Sequence, residues 1–448
     1  MTIDTQLAGD IVARCLKRGA TAVEVIAREE TEFSVSVRLG EIDTLTEADS
    51  SALGLRVLVD GRQASVSTSD YRGPSIDALI DEALTLARAT SVDESADLPE
   101  ASAMATEFPD LELYDPAIAA LSADARIDMA LRAEAAARDE DPRITNFDRG
   151  GLGTTVGRTV FANSLGFAGS YDSTMISISA IPVATDGDQK QRDSWYDRRR
   201  TLAELETPES IGQRAARRTL RRLGARKAES CEVPIVFEPM IARDLLGTIF
   251  SACSGESIFR KASLFADHLG ERVGAAGLNV IDDGRIRRGI GSRPFDGEGL
   301  PTRRTVVIRD GVLESFLLNT YTGRKLGMRS TGNATRGLVG QASVGTGNLF
   351  VEPGVQGPDA ILRSVKRGFL VTELMGFGVN IVNGDYSRGA AGLWIEDGEI
   401  AYPVEEVTIA GNLKDMLAGI EMVGSDLEFR GRLAAPTLRI AKMAVSGR

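Results

Sequence analysis

The chain has 448 residues, 43% of them hydrophobic, and a formal net charge of -12. This length predicts two or three domains with a sizeable buried core. The acidic balance argues against a general nucleic-acid coat, because phosphate binding depends on clustered Lys and Arg. No window approaches the run of about 18 apolar residues that a membrane helix needs.

The three cysteines, Cys15, Cys231 and Cys253, are far apart and form no CxxC pair. An odd number at such spacing indicates neither a disulfide framework nor a cysteine zinc knuckle. The N-terminal segment has acidic residues where a signal peptide carries basic ones, and it lacks an uninterrupted apolar core. We therefore expect a soluble protein of the reducing cytoplasm.

Helical and strand-like periodicities follow each other through the first 90 residues. Apolar residues recur at helical spacing from Leu7 to Leu16, and runs of alternating β-branched residues come next. The last run carries Asp60-Gly61 between two strand-like halves, which predicts a hairpin with a type I′ turn. Residues 91–116, rich in Asp, Glu, Ser and Pro, are predicted to be an acidic linker.

A helix at about residues 122–138 is predicted to stop at Asp141-Pro142, because proline disfavours helix in the residue before it. Alternating runs then predict antiparallel sheet through residues 143–200. The next helix begins at Thr207, which suits an N-cap since proline follows it. We place a domain boundary near residue 230.

The C-terminal half is predicted to be β-rich. It begins with the strand VPIVF and a helix whose apolar stripe runs from Ala242 to Cys253, and it contains two more Asp-Gly hairpin signals, TVVIRDGVLESFLL and LWIEDGEIAYPV. The predicted fold class is α+β. An N-terminal α/β domain at residues 1–230 precedes a largely antiparallel C-terminal domain at residues 231–448.

Two long segments resemble one known family. They are AGLWIEDGEIAYPVEEVTIAGNLKDML, residues 391–417, and FLLNTYTGRKLGMRSTGNATRG, residues 316–337. Both resemble the TldD/PmbA family, and the second resembles its PmbA (TldE) branch, as does the ending AAPTLRIAKMAVSG. The N-terminal half resembles the family more diffusely, through SALGLRVLVDGRQASVSTSD at residues 51–70.

The resemblance has consequences for metal binding. TldD-type members carry a zinc-binding HExxxH and take a further ligand from a cysteine near the C-terminus. This chain has one histidine, His268, and no cysteine after Cys253. The helix at the corresponding place reads DLLGTIFSACS. The resemblance therefore implies a subunit without metal or cofactor that pairs with a TldD-like zinc metallopeptidase acting on extended or unfolded peptides.

Family biology implies peptide maturation and turnover of small unstable proteins, and members have carried the label of DNA gyrase modulator.

Two alternative functions come from other classes of protein. A self-sufficient homodimeric peptide-binding or scaffold protein is one, because a surface that pairs with a paralogue can pair with itself. A serine hydrolase is the third reading, with His268 as its only available base. The chain has no GxSxG elbow, and SACSGES, residues 251–257, is interpreted as a turn after a helix.

Glycine clusters and basic runs are interpreted structurally. Residues 150–166 contain spaced glycines but continue as strand, so they are predicted to form a hairpin and not a dinucleotide loop. The basic runs at residues 198–200, 214–227 and 285–293 are predicted to be solvated or ion-paired surfaces. An anionic-peptide or partner-binding face is the alternative, and no direct nucleic-acid contact is expected.

No catalytic, metal or cofactor residue is assigned. Within the family segments, Asn412 is predicted to cap the helix that begins LKDML, and packing or capping would explain much of both segments. The candidate residues for a subunit interface or a peptide cleft are Asn319, Arg324, Trp394, Glu405, Glu406 and Asn412.

Overall fold

The structure is a computed structural model that describes residues 3–447. Within these residues the helices are α1 Thr5–Lys17, α2 Gly73–Ala89, α3 Pro116–Ala119, α4 Ala123–Glu140, α5 Pro208–Leu220, α6 Pro239–Cys253, α7 Gly255–Phe259, α8 Thr320–Leu326, α9 Pro358–Arg363 and α10 Leu413–Ala418. None of them is long and apolar enough to cross a membrane.

Strands supply most of the regular structure. They are β1 Ala22–Arg38, β2 Glu41–Val59, β3 Arg62–Thr68, β4 Ile144–Phe147, β5 Gly151–Asn163, β6 Ala168–Ala180, β7 Pro182–Asp186, β8 Gln189–Arg192, β9 Trp195–Arg199, β10 Cys231–Phe237, β11 Val280–Asp283, β12 Arg304–Arg309, β13 Val312–Leu313, β14 Ala334–Thr335, β15 Ser343–Val344, β16 Asn348–Val351, β17 Arg367–Met375, β18 Asp385–Glu396, β19 Glu399–Asn412, β20 Ile420–Val423, β21 Leu433–Ala434 and β22 Leu438–Ser446.

The N-terminal half is built on one antiparallel sheet with the order β3-β2-β1-β5-β6-β9. Helices α1 and α2 bury their apolar sides against the β2–β1–β5 part of this sheet. Helices α4 and α5 cover the part formed by the far end of β1 with β5 and β6. The small sheet β4-β7-β8 lies beside them. The predicted antiparallel region 143–200 corresponds to β4 through β9 and is confirmed.

The three Asp-Gly signals are confirmed as hairpin turns. Asp60 and Gly61 have φ of 49° and 77° between β2 and β3, as a type I′ turn requires of both central residues. The other two Asp-Gly pairs connect β12 to β13 and β18 to β19, also with positive φ. Because a turn sets the register of its hairpin, these turns fix which side chains of the flanking strands face the core.

The C-terminal half contains a closed sheet. Its order is β10-β17-β18-β19-β22-β20, and β10 also pairs with β22, so five of the strands form a barrel-like ring. A second sheet, β13-β12-β11-β16-β21, packs beside it, and α6 lies in the shared core. All pairings here are antiparallel except β10–β17 and β16–β21. The predicted α+β class with a largely antiparallel C-terminal part is confirmed.

Candidate functional site

Helix α6 lies where the resemblance expects a zinc-binding helix, and its surface does not fit a zinc ion. Its outward side chains are Asp244, Thr248 and Ser251, which share one face at helical spacing. The Thr248 and Ser251 hydroxyls donate back to carbonyl oxygens of the same helix at 3.2 and 3.0 Å. Within residues 3–447 no group of three or more His, Cys, Asp or Glu side chains is arranged to hold a metal ion.

The residues of the hydrolase alternative are engaged elsewhere. His268 Nδ1 lies 2.7 Å from Glu271 Oε2. The Ser254 hydroxyl donates to Glu256 Oε2 at 2.6 Å. Cys253 is fully buried in the apolar core, and this burial raises the pKa of its thiol. No hydrogen bond joins a serine to His268 in the part of the chain that the structure describes.

Asn319 and Arg324 lie at the two ends of α8. Asn319 is the N-cap: its Oδ1 accepts from the Thr322 backbone N–H at 2.8 Å, and the Thr322 hydroxyl closes a capping box. Arg324 is exposed and donates to the backbone oxygens of Ser95 and Asp97 at 3.2 and 2.7 Å. Arg324 therefore holds the linker segment against the C-terminal half.

The other four candidates lie on the β18–β19 hairpin. Trp394 is buried between Phe369 and Tyr402. Glu405 Oε2 accepts a hydrogen bond from Gln191 Nε2 at 2.7 Å. Glu406 forms an ion pair with Lys227 at 3.0 Å. Asn412 caps α10 by accepting from the Lys414 N–H at 3.0 Å.

The predicted cap role of Asn412 is confirmed, whereas the interface role of all six candidates stays a prediction. They form two groups, one on α8 and one on the hairpin, and no hydrogen bond or ion pair between the groups is present among the described residues. Only Arg324 and Glu406 are exposed.

One strand edge is available for pairing. Strand β2 pairs with β3 only from Leu53 onward, so residues 41–52 have β1 as their single neighbour in the described structure. We call residues 41–52 the open edge. Residues 41–50 are all exposed, including Ile42 and Leu45 at 47% each. An edge of this kind can hydrogen-bond an extended backbone regardless of its sequence.

The buried carboxylate of Glu24 connects the two halves of the chain, and those of Asp296 and Glu298 lie within the C-terminal half. Glu24 of β1 is 2% exposed and accepts from Arg336 Nη2 at 2.7 Å. Glu298 is also buried, and its Oε2 accepts from the Thr320 N–H and hydroxyl at 2.9 and 2.6 Å. Burial, together with the negative charge of Asp296, raises the pKa of Glu298 to about 7. Burial also raises the pKa of Asp296, although it accepts three backbone N–H groups that favour its ionised form.

We expect Glu298→Gln to flatten the pH dependence of stability. Between the ordinary carboxyl pKa of 4.5 and about 7, folded Glu298 holds a proton that the unfolded chain releases. Its contribution to the free energy of unfolding is therefore complete below pH 4.5 and falls by about 3 kcal/mol by pH 7. Urea unfolding of the wild type and the variant at pH 5 and pH 8 measures this difference, which includes the linked titration of Asp296. An equal loss in the variant would contradict the assignment.

A basic cleft of about 330 Å³ lies between the N-terminal sheet and the C-terminal loops. Its floor is formed by side chains on one face of β1, β5 and β6, where Gly157 opposes Glu30 and leaves space above the strands. Its rim comes from segments 290–293, 335–336 and Arg432. We call it the arginine cleft, after Arg28, Arg200, Arg293 and Arg432, which line it.

The basic runs divide in the structure. In the run 214–227, Arg217, Arg218, Arg221 and Arg222 pair with carboxylates, so the predicted ion-paired surface is confirmed there. Arg200 and Arg293, from the other two runs, turn into the cleft. Sequence reasoning missed the cleft because Arg28 and Arg432 lie outside every basic run, and only the packing of the two halves brings the four together.

Comparison with known proteins agrees with this architecture. Residues 23–87, 116–223 and 230–447 match the family models of PmbA/TldA metallopeptidase domain 1, central domain and C-terminal domain. Metalloprotease PmbA of Escherichia coli is 39% identical over 424 residues, which are 95% of this chain and 92% of that protein. A metalloprotease TldD homolog of Buchnera aphidicola is 26% identical over 220 residues, 48% of this chain and 45% of that one.

Solved structures share the whole fold. A candidate modulator of DNA gyrase from Bacteroides thetaiotaomicron superposes with a TM-score of 0.92 at 29% identity, covering 99% of this chain and 98% of that chain. TldE from Thermococcus kodakarensis gives a TM-score of 0.89 at 22% identity, covering 98% of this chain and 100% of that one. From the family models and the relatives together, the chain belongs to the PmbA/TldD family and stands with its PmbA (TldE) members.

Proposed function

We propose that the chain is the metal-free subunit of a two-subunit zinc metallopeptidase that acts on extended or unfolded peptides. A TldD-like partner supplies the zinc ion and the water that it activates. This chain contributes a wall of the substrate chamber and positions the peptide. The free, mostly buried thiols suit the reducing cytoplasm as the place of action.

The observation that carries the proposal is the surface of α6. In a zinc peptidase this helix must present histidines and a general base toward the substrate, since catalytic zinc takes three protein ligands. Here the same face carries two hydroxyls already bonded within the helix and a single carboxylate, Asp244, which cannot supply three ligands. A subunit with this face depends on another chain for metal-activated water.

The open edge supports the peptide part of the proposal. It offers unpaired backbone donors and acceptors over several residues, which recognise an extended chain and not a folded one. Recognition through the backbone fits a substrate class defined by conformation. Side-chain contacts elsewhere then adjust which peptides are preferred.

Peptide hydrolysis tests the proposal. A library of unstructured peptides is incubated with the purified chain, with a TldD-like protein, and with both, each with and without a zinc chelator, and products are identified by mass spectrometry. We expect chelator-sensitive cleavage only in the mixture. The chain alone should contain far less than one zinc per molecule by elemental analysis.

Two variants locate the chemistry. Glu→Gln in the partner's HExxxH should abolish cleavage in the mixture, and His268→Ala in this chain should leave it unchanged. Cleavage by the pure chain would overturn the proposal, and chelator resistance would then direct attention to serines and His268. Peptide binding by a stable homodimer that never joins a TldD-like protein would support the scaffold alternative.

A further inference from the structure

The arginine cleft contains four guanidinium groups without a carboxylate partner. Within residues 3–447, none of Arg28, Arg200, Arg293 and Arg432 has a carboxylate oxygen within 4.0 Å. Two other arginines of the same lining are neutralised: Arg158 pairs with Asp172 at 2.6 Å and Arg336 with Glu24 at 2.7 Å. The cleft therefore concentrates positive charge in a chain whose net charge is -12.

Arg200 is the most buried of the four, at 8% exposure. Its terminal nitrogens donate to Thr174 O at 3.0 Å and to Ile290 O at 2.8 Å, which holds the guanidinium between the two halves of the chain. Its Nε has no hydrogen-bond partner among the described residues. Loss of hydration lowers the pKa of Arg200 to about 10. A buried guanidinium with an unused donor and no counter-ion is costly unless a ligand supplies the missing acceptor.

The other three guanidinium groups surround the same space. Arg293 is half-buried, and its Nε also lacks a partner in the described part of the chain. Arg432 is exposed to the open cleft and makes no side-chain hydrogen bond with the described residues. Loss of hydration and the nearby charges of Arg293 and Arg28 lower the pKa of Arg432. An anion in the cleft would relieve this mutual repulsion.

We infer that the arginine cleft binds a carboxylate group of a peptide, either its C-terminal carboxylate or an acidic side chain. The planar, forked guanidinium matches a carboxylate through two parallel hydrogen bonds. A volume of about 330 Å³ suits a small group and the residue that carries it. Glu29 and Glu30 also line the cleft and would repel the continuous charge of a nucleic acid. The identification of the ligand as a peptide rests on the proposed function. The expectation that the cleft binds a carboxylate rests on its charge alone.

Binding of labelled peptides to the purified full chain tests the inference. Four short unstructured fluorescein-labelled peptides combine Glu or Gln side chains with a free or amidated C-terminus, and fluorescence anisotropy at low salt gives each Kd. The peptide with Gln side chains and an amidated C-terminus carries no carboxylate. We expect it to bind at least about tenfold more weakly than the tightest-binding peptide that carries one. If amidation causes the loss of affinity, the C-terminal carboxylate is the ligand. If the change from Glu to Gln causes the loss, the acidic side chain is the ligand.

Variants locate the binding. Arg432→Gln removes one charge without breaking a hydrogen bond or ion pair, and it should weaken the carboxylate peptides about tenfold. Arg363→Gln removes the same charge from the exposed surface of α9 and should leave binding unchanged. Arg200→Met should weaken binding further, with circular dichroism to verify that the variant folds. Since no partner or zinc is needed, failure of the mixed hydrolysis experiment would not affect this result.

Three outcomes would overturn the inference. The first is equal binding of the neutral peptide and the carboxylate peptides. The second is an equal effect of Arg363→Gln and Arg432→Gln, which would indicate general electrostatic attraction. The third is a single-stranded oligonucleotide that binds more tightly than every peptide and loses affinity in Arg432→Gln, which would identify a nucleic-acid site.

Discussion

Replacing Glu24 with alanine is expected to lower the free energy of unfolding by about 3–5 kcal/mol, because it leaves two buried guanidinium groups without their counter-ion. Glu24 is 2% exposed, and the arginines that it joins, Arg56 and Arg336, are 5% and 6% exposed. Burial opposes ionisation of Glu24, yet the adjacent guanidinium groups outweigh it and lower its pKa. The ion pair between Glu24 and Arg336 also connects β1 to the C-terminal half.

Chemical denaturation followed by circular dichroism measures this loss. Glu232→Ala is the matched control, since it removes a carboxylate from the exposed ion pair with Lys442, and it should change stability by no more than about 1 kcal/mol. Equal losses in the two variants would show that Glu24 contributes no more than a surface charge. Loosened contact between the halves should also appear as faster proteolysis of the 91–116 linker in Glu24→Ala.

Replacing Trp394 with alanine is expected to cost about 3–5 kcal/mol, as removal of large buried aromatic side chains does. Trp394 is 2% exposed, its ring lies 6.2 Å from those of Phe369 and Tyr402, and the Arg367 guanidinium lies 5.5 Å from its centre. Thermal and urea unfolding measure the loss. A stable Trp394→Ala protein that fails to join a TldD-like subunit would instead support the interface role.

Phe377→Ala is the matched control for Trp394. The Phe377 ring is fully exposed, so its removal should change stability by less than about 0.5 kcal/mol. If the partner subunit contacts the loop that contains Phe377, Phe377→Ala should weaken association with the partner. The unfolding midpoint of the variant should stay unchanged.

Local signals predicted local structure well. Asp60-Gly61, Thr207 and Asn412 act as expected because a turn or a cap depends on a few neighbouring residues. Long alternating runs likewise predicted the antiparallel strands. Closure of the β10 barrel was not predicted, since the β10–β22 pairing joins residues about 200 positions apart and leaves no local trace.

In the candidate site, too, the sequence predicted local features and missed those that depend on distant parts of the chain. The six candidate residues lie in segments identified by resemblance, yet their contacts are helix caps, core packing, hydrogen bonds and one ion pair. The arginine cleft depends on Arg28 and Arg432, which are brought together only when the N-terminal sheet packs on the C-terminal loops. A charge that is unpaired in the folded chain cannot be distinguished in the sequence from one that finds a partner.

The open edge has a consequence for self-association. Glu41, Asp43, Glu47 and Asp49 all lie on the open edge, and residues 41–52 contain no basic side chain. If two copies paired edge to edge around a two-fold axis, these acidic segments would lie side by side and repel each other. A neutral or basic guest strand meets no such repulsion. We therefore expect the edge to favour a strand of a different chain over a second copy of itself.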